Sequence, residues 1–298
     1  MNKKLLCGLA ALLLMAAAAC QNESKPPVPS AAEPTNAAPA PNAGSSANET
    51  KQVQPAQGNG AADNKAGITA AATPAPTPAP PQQAKPLYRM NPKSYDIVPI
   101  DSAATEKKVV LLTFDDGPKD KDMLESMLNT LDKHHAKAIF FVNGYRAKQK
   151  PELLKLIHDR GQTIGNHSWD HIDLKKESKE KVNQQIGDVQ QLVKDTIGTA
   201  PKFFRPPFGS GSDEVRAKAL EEQMLFMTWS NGSKDWEMTS KSNNPDKVVA
   251  NVLEQLRPGS NILMHELAWT DKALDKLLTE LEQKQYGFVD PASIEVAP

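Results

Sequence analysis

The sequence predicts an α/β fold from about residue 88 onward: a parallel sheet, open or closed into a barrel, with helices between its strands. Three observations predict it. Apolar runs alternate with amphipathic stretches from Tyr88, the pattern of successive β–α units. About six to seven such runs fall in about 200 residues, slightly few for a full eight-fold barrel. The polar residues able to do chemistry stand at the C-terminal ends of the runs, the edge where parallel α/β folds build their sites.

The first strand is VVLLTF, from Val109. Met123, Leu124, Met127, Leu128 and Leu131 then fall on one helical face. AIFFVNG (138–144) is a second strand, closed by Asn-Gly, and PELLKLIHDRG (151–161) is a short helix with Pro at its start and Gly at its end. TIGNH (163–167) is a brief strand, and Val182, Ile186, Val189 and Val193 mark a longer helix. KFFRPPFG, MLFMTWS and NILMHE read as three more strands. They are separated by helices at SDEVRAKALEEQ and at Val248, Val249, Val252, Leu253 and Leu256. Leu274, Leu277, Leu278 and Leu281 line a final helix. No internal repeat of fixed period is present.

The part before Tyr88 has another character. Lys3 and Lys4 precede an uncharged apolar run, Leu5 to Ala19, which is a secretory signal pattern too short for a comfortable membrane span. Ala17-Ala18-Ala19-Cys20 resembles the lipobox of bacterial lipoproteins, which implies lipidation of Cys20; ordinary cleavage after Ala19 is the alternative. Gln21, where Asp would retain such a protein at the inner membrane, favours the outer membrane by the same resemblance. Residues 21–86 have no aromatic residue and no Leu, Met or Phe, and end in ATPAPTPAPPQQAKP. Such a stretch cannot bury enough apolar surface to offset its chain entropy, and its Pro-Ala part should be extended and semi-stiff.

The expected organisation is therefore a signal at 1–19, a tether at 20–86 starting at Cys20, a lead-in at 87–104, a catalytic domain at 105–290 and a tail at 291–298. The expected location is the bacterial cell envelope, lipid-anchored at the outer membrane and facing the periplasm. With Cys7 removed and Cys20 acylated, the domain has no disulfide and must be held by its core. A net charge of -1 gives no basic field for nucleic acid. No obligate protein partner is expected.

The strand ends carry the chemistry. Asp115 and Asp116 end the first strand, Asn143 the second, and His167, Arg205 and His265 end three others. His167 and His171, in NHSWDH, can face one point from a tight loop or helical turn. Two His and a carboxylate make a common metal set. Ser168 stands where the HExxH general base would be, which excludes that protease pattern. One aspartate could bind the metal while the other takes a proton from water whose pKa the metal lowers towards about 7. Arg205 is the cation to hold the free base ionised. Pro206 and Pro207 remove backbone donors, so the next N–H, that of Phe208, could stabilise an oxyanion. His265, with Asp235 as partner, suits the acid that protonates a leaving group.

TFDDG, HSWDH, RPPFG, DW and LMH occur in the order of the five motifs of the polysaccharide deacetylases. The chain from about 105 to 290 resembles that family, the NodB-homology domains of carbohydrate esterase family 4. The resemblance implies a deformed (β/α) barrel with about seven parallel strands and a divalent metal, Zn2+ or Co2+. It implies Asp116, His167 and His171 as ligands and Asp115 as base, with Arg205 pairing that base. Phe208 matches the oxyanion N–H, Trp236 and Leu263 the acetate-methyl pocket, His265 the acid and Asp235 the residue that tunes it. Two positions depart from the pattern: Gly232 stands where Asp is common, and Glu266 follows the acid where Asp is frequent.

The resemblance implies removal of N-acetyl groups from a GlcNAc-containing cell-envelope polysaccharide, peptidoglycan or a chitin-like polymer. An O-acetyl esterase and a catalytically silent glycan-binding lipoprotein are the alternatives. A non-haem iron oxygenase gives Asp115, Arg205 and His265 no role. Tyr145, Trp169, Trp229 and Trp269 are mostly packing residues on this reading, with at most one stacking on sugar.

Overall fold

The structure is a computed structural model and describes residues 85–296. The signal, Cys20 and the tether up to residue 84 lie outside the described residues, as do residues 297 and 298.

The chain opens with an antiparallel ribbon, β1 (Tyr88–Met90) and β2 (Ile97–Pro99). Then follow β3 (Val109–Gly117), α1 (Lys121–Lys133), β4 (Ala138–Val142), α2 (Gly144–Gln149), α3 (Pro151–Asp159) and β5 (Thr163–Asn166). Next come α4 (Lys179–Ile197), β6 (Phe203–Phe204), α5 (Asp213–Glu221), β7 (Leu225–Phe226) and β8 (Asn231–Gly232). The chain ends with α6 (Pro245–Glu254), β9 (Ser260–His265), α7 (Ala268–Gln283) and β10 (Gly287–Phe288).

Seven strands run in the order β7-β6-β5-β4-β3-β9-β8, every pairing parallel, and β10 pairs with the start of β3. The two edges, β7 and β8, are consecutive in the chain, separated only by residues 227–230. Four residues span at most about 14 Å, so the sheet must curl until its edges nearly meet. The crossing segment is bonded to both sides, Met227 N–H to the Phe204 carbonyl at 2.9 Å and Ser230 N–H to that of Asn261 at 3.0 Å. This is the deformed barrel expected of the sequence.

The period of two along β3 sorts the core. Val110, Leu112 and Phe114 pack outward with Phe140, Val142, Ile262 and Met264 against α1, α3, α6 and α7. Leu111 faces inward with Ile139, Phe141, Phe203 and Met227. The inner cluster is closed at the N-terminal end of the strands by Tyr88, Ile97, Val289 and Ile294. Residues 87–104 and 291–296, separated in the sequence as lead-in and tail, are therefore tied into this body. Leu87 N–H bonds the Ser293 carbonyl at 2.9 Å and Glu295 N–H that of Tyr88 at 2.7 Å. They cover apolar surface that an open barrel end would expose.

The helices start where side chains can take their free N–H groups. Asp120, Ser178, Ser212 and Asn244 cap α1, α4, α5 and α6. Several elements differ from expectation. AIFFVNG ends as a strand at Val142, and Gly144 begins α2. KFFRPPFG and MLFMTWS contribute only two strand residues each, because Pro206 and Pro207 supply no N–H and the chain then turns at 207–209. Leu256 lies beyond the end of α6.

Candidate active site

Because the strands are parallel, their C-terminal ends share one edge, and Asp115, Asn143, His167, Arg205 and His265 meet there. Register makes this specific: Asp115 lies opposite His265 across β3–β9 and opposite Phe141 across β3–β4.

Arg205 is fully buried, with no exposed surface. Its Nη1 donates to Asp115 Oδ1 at 2.7 Å and to Thr113 Oγ1 at 2.8 Å, and its Nη2 to the Thr228 carbonyl at 2.9 Å and Asn261 Oδ1 at 3.3 Å. The guanidinium lies 4.4 Å from the centre of the Phe141 ring. Burial pulls its pKa down, and the Asp115 carboxylate opposes that. Removing one partner of such a pair leaves a buried charge uncompensated, at a cost of about 3–5 kcal/mol. The bridge thus fixes Asp115 and aims its other oxygen, Oδ2, to within 3.6 Å of His167 Nε2.

His167 is held from behind. Its Nδ1 lies 2.7 Å from the Arg205 carbonyl. A carbonyl only accepts, so Nδ1 carries the proton and Nε2 presents a lone pair. Burial pushes this imidazole towards its neutral form, against the pull of Asp115 and Asp116. His171 Nε2 lies 3.2 Å, and His167 Nε2 3.5 Å, from Asp116 Oδ1. That oxygen is buried with no hydrogen-bond partner. Ligand atoms of Asp116, His167 and His171 all lie within 4.8 Å of one another. Acceptors converging on one point repel unless a cation joins them, and this donor set suits a divalent metal such as zinc.

The backbone bends to make this cluster. Asp116, Ser168, His171, Phe208 and Lys234 all take left-handed conformations, which cost energy in non-glycine residues and gather at functional sites. His167 and His171 share a tight loop rather than a helical turn. The exposed Phe208 ring stands edge-on to His171, with centroids 4.7 Å apart. Its N–H is not used in the turn, whose backbone bonds run from Gly209 to Pro206 and from Ser210 to Pro207.

The opposite wall belongs to β8 and β9. Asp235, fully buried, accepts from His265 Nδ1 at 2.7 Å, His265 N–H at 2.8 Å and Thr270 Oγ1 at 2.7 Å. Burial disfavours the His265 imidazolium, but the Asp235 hydrogen bond and charge outweigh it and raise the pKa. Trp236 stands over His265 at 5.6 Å between ring centres, and Leu263 precedes His265 on the same face of β9. A Cβ on Gly232 would lie 3.0 Å from the Trp236 ring, so any larger residue there would crowd that wall. Trp269 is buried, and its Nε1–H bonds the Asp235 carbonyl at 2.9 Å, which makes it a support rather than a sugar face.

Sequence reasoning passed over Thr113, Asn261 and Thr270 as site supports. For Thr113 and Asn261 the signal was a polar residue inside an apolar strand, on the face of Asp115 or His265, whereas Thr270 lies in the first turn of α7 and carried no such signal. It also left Glu266 unplaced. That carboxyl is buried, accepts Lys119 N–H at 2.9 Å and occupies the space that a Cβ on Gly117 would need.

Residues 102–226 match the polysaccharide deacetylase family model. A peptidoglycan-N-acetylglucosamine deacetylase of Listeria monocytogenes, PgdA, is 37% identical over 202 residues, 67% of this chain and 41% of that protein. This chain thus aligns with less than half of that relative. A peptidoglycan-N-acetylglucosamine deacetylase of Bacillus cereus is 35% identical over 193 residues, 63% of this chain and 68% of that one. Among solved structures, peptidoglycan deacetylase PdaC from Bacillus subtilis matches with a TM-score of 0.57 at 32% identity, covering 63% of this chain and 89% of the other. A CE4 family pseudoenzyme from Bacillus anthracis matches with a TM-score of 0.59 at 31% identity, covering 62% and 64%, and a mutant of it has restored activity. The five motifs, the barrel and these likenesses agree: the chain belongs to the polysaccharide deacetylase family.

Proposed function

We propose that this chain is a metal-dependent hydrolase that removes N-acetyl groups from GlcNAc-containing polysaccharide of the bacterial cell envelope. The observation that carries the reading is one juxtaposition. Asp115 Oδ2, held by Arg205, sits 3.6 Å from His167 Nε2 in the Asp116–His167–His171 cluster, while Asp115 is register-paired with His265 on the next strand.

Asp116, His167 and His171 would hold the metal, with zinc the first choice and cobalt a substitute. When bound, it would polarise the acetamide carbonyl and acidify water. Asp115 takes the proton from the attacking water through Oδ2. Arg205 supplies its counter-charge and keeps it in place. The Phe208 N–H donates to the oxygen that becomes negative. His265, its Nδ1 occupied by Asp235, turns Nε2 to the leaving amine and protonates it. Trp236 and Leu263 wall the acetyl methyl. Loss of Asp115 or His265 would favour a catalytically silent protein, and both residues are present here. Cys20 would anchor the protein by lipid at the outer membrane, facing the periplasm. Among the described residues no helix is long and apolar enough to cross a membrane.

The test is acetate release by the zinc-loaded protein from chitooligosaccharides, peptidoglycan and acetylated xylan, with a chelated control. Metal-dependent acetate from GlcNAc polymers is the expected result. Acetate from xylan alone would make it an O-acetyl esterase. None from any substrate, with metal bound, would make it a glycan-binding protein.

A further inference from the structure

One rim of the site carries positive charge that this chemistry does not use. Helix α2 and the residue after it read GYRAKQK, so Arg146, Lys148 and Lys150 follow one another with no acid among them. The helix begins at the end of β4 and is tied to the site loops, Gly144 N–H to the Ser168 carbonyl at 3.1 Å and Tyr145 N–H to that of Trp169 at 3.2 Å. Lys148 Nζ stands 5.9 Å from the centre of Trp169, between His167 and His171 in the chain, and Arg146 lies over Tyr145 at 4.8 Å. Arg146 Nε is buried with no hydrogen-bond partner. Lys150 Nζ donates to the Lys119 carbonyl, which brings the β3–α1 turn against the same rim.

These cations make no close ion pair of their own, although the buried Glu266 carboxyl faces Arg146 and Lys119. The ion pairs of the described residues include none of Arg146, Lys148 and Lys150. Lys119 Nζ lies 4.0 Å from Asp116, a carboxylate that on the proposed reading a metal claims, and it also faces Glu266. The protein as a whole is slightly acidic, at -1, so the excess is local. A cleft edged by one sign of charge concentrates and orients substrates of the other sign.

We propose that Arg146, Lys148 and Lys150, with Lys119 behind them, bind carboxylates borne by the glycan beside the acetylated sugar. The preferred polymer is then an anionic, carboxylate-bearing strand and not a neutral one. This rests on the deacetylase reading of the same site. The carboxylate has two sources, a lactyl ether on a neighbouring sugar or a peptide attached to it.

The full-length protein, supplied with zinc, separates them with three substrates: neutral GlcNAc oligomers, peptidoglycan strands stripped of peptide but keeping the lactyl carboxylate, and intact peptide-bearing strands. The carboxylated strand that the rim reads should show the higher kcat/KM, and added salt should erode that preference. In an Arg146→Gln/Lys148→Gln double variant the carboxylated-to-neutral ratio should fall about three- to tenfold, through KM. Lys150 is spared because it holds the Lys119 carbonyl. A ratio that ignores both salt and the variant, or an equal fall on all three substrates, would overturn the proposal. Co-sedimentation with insoluble peptidoglycan and with chitin reads the same ratio without turnover. Failure to release acetate from any substrate would therefore count against the deacetylase reading, while the sedimentation ratio still decides the rim.

Discussion

The two walls of the site are completed to different degrees. On the β8–β9 wall, Asp235 accepts three hydrogen bonds, and both Thr270 and Trp269 are engaged with it. On the β3–β5–β6 wall, Asp116 Oδ1 is buried without a hydrogen-bond partner, and ligand atoms of Asp116, His167 and His171 lie within 4.8 Å of one another. Most of the site's left-handed backbone, at Asp116, Ser168, His171 and Phe208, also belongs to this wall. The Asp235–His265 pair, on the acid wall, is preorganised by the protein alone. The Asp116 carboxylate, on the metal wall, is the group that a bound cation would engage, so its geometry should depend on a ligand in a way that the Asp235–His265 pair does not.

The largest effect should come from breaking the metal wall. His167→Ala should lower zinc affinity by more than the about 10–100-fold typical of residues that only support a ligand, and acetate release should go with it. In the unmodified protein, zinc at a hundred times its Kd should add about 2.7 kcal/mol to stability, read as a rise in Tm, and His167→Ala should lose that rise. Zinc retained at full occupancy by His167→Ala would refute the ligand set. Asp115→Asn should split the two properties, keeping zinc but losing about 10²–10⁴-fold in turnover. If zinc left with the activity, the two aspartates would have their roles reversed.

A smaller effect should come from the acid wall, with no change in zinc binding. Asp235 raises the pKa of His265, so the protonated acid persists to higher pH than the ordinary value of about 6.5. The alkaline limb of kcat/KM should therefore fall above that value. Asp235→Asn removes the charge, lowers the His265 pKa and moves the limb to lower pH, so the loss should be greater at pH 8 than at pH 6. A pH–rate profile checks it, and a limb that stays in place would show that His265 is not the group being titrated.

The same division marks what the sequence made legible. Long strands announce themselves: β3 and β9 are long enough to show apolar runs ending in Asp115–Asp116 and His265, and parallel topology then gathers their ends. Strands β6, β7, β8 and β10 have two residues each, too few to show any period, and the ribbon of β1 and β2 resembles a lead-in until Ile294 meets it. The motif residues were legible because charge and imidazole are rare at strand ends. Their supports were not. Thr113 and Asn261 matter through contacts with Arg205, respectively 92 and 56 residues away. The left-handed turns at Asp116 and His171 follow from tertiary packing, because neither residue type demands them.

The smallest effect should lie on the seam between the walls, where Glu266 from the end of β9 bonds Lys119 N–H at the end of β3. Gly117 lacks the Cβ that would collide with this carboxyl. Gly117→Ala and Glu266→Ala should each destabilise by about 1–3 kcal/mol, the range for a buried hydrogen bond left half-made. Because both act on one contact, their effects should not add: in a Glu266→Ala background, Gly117→Ala should cost less by about 0.5–3 kcal/mol. Burial also raises the Glu266 pKa from 4.5 to about 7, against the pull of Lys119. The folded state then holds a proton that the unfolded state releases first, so this group's contribution is full below the unfolded pKa and declines as pH rises towards 7. Glu266→Gln keeps an acceptor for Lys119 N–H and removes that decline. In chelator, urea unfolding should show the Gln variant gaining on the unmodified protein between pH 5 and pH 8. A parallel pH dependence in the two proteins, or strictly additive costs for the two alanine variants, would mean that the walls are joined by the β3–β9 ladder alone and that Glu266 only fills space.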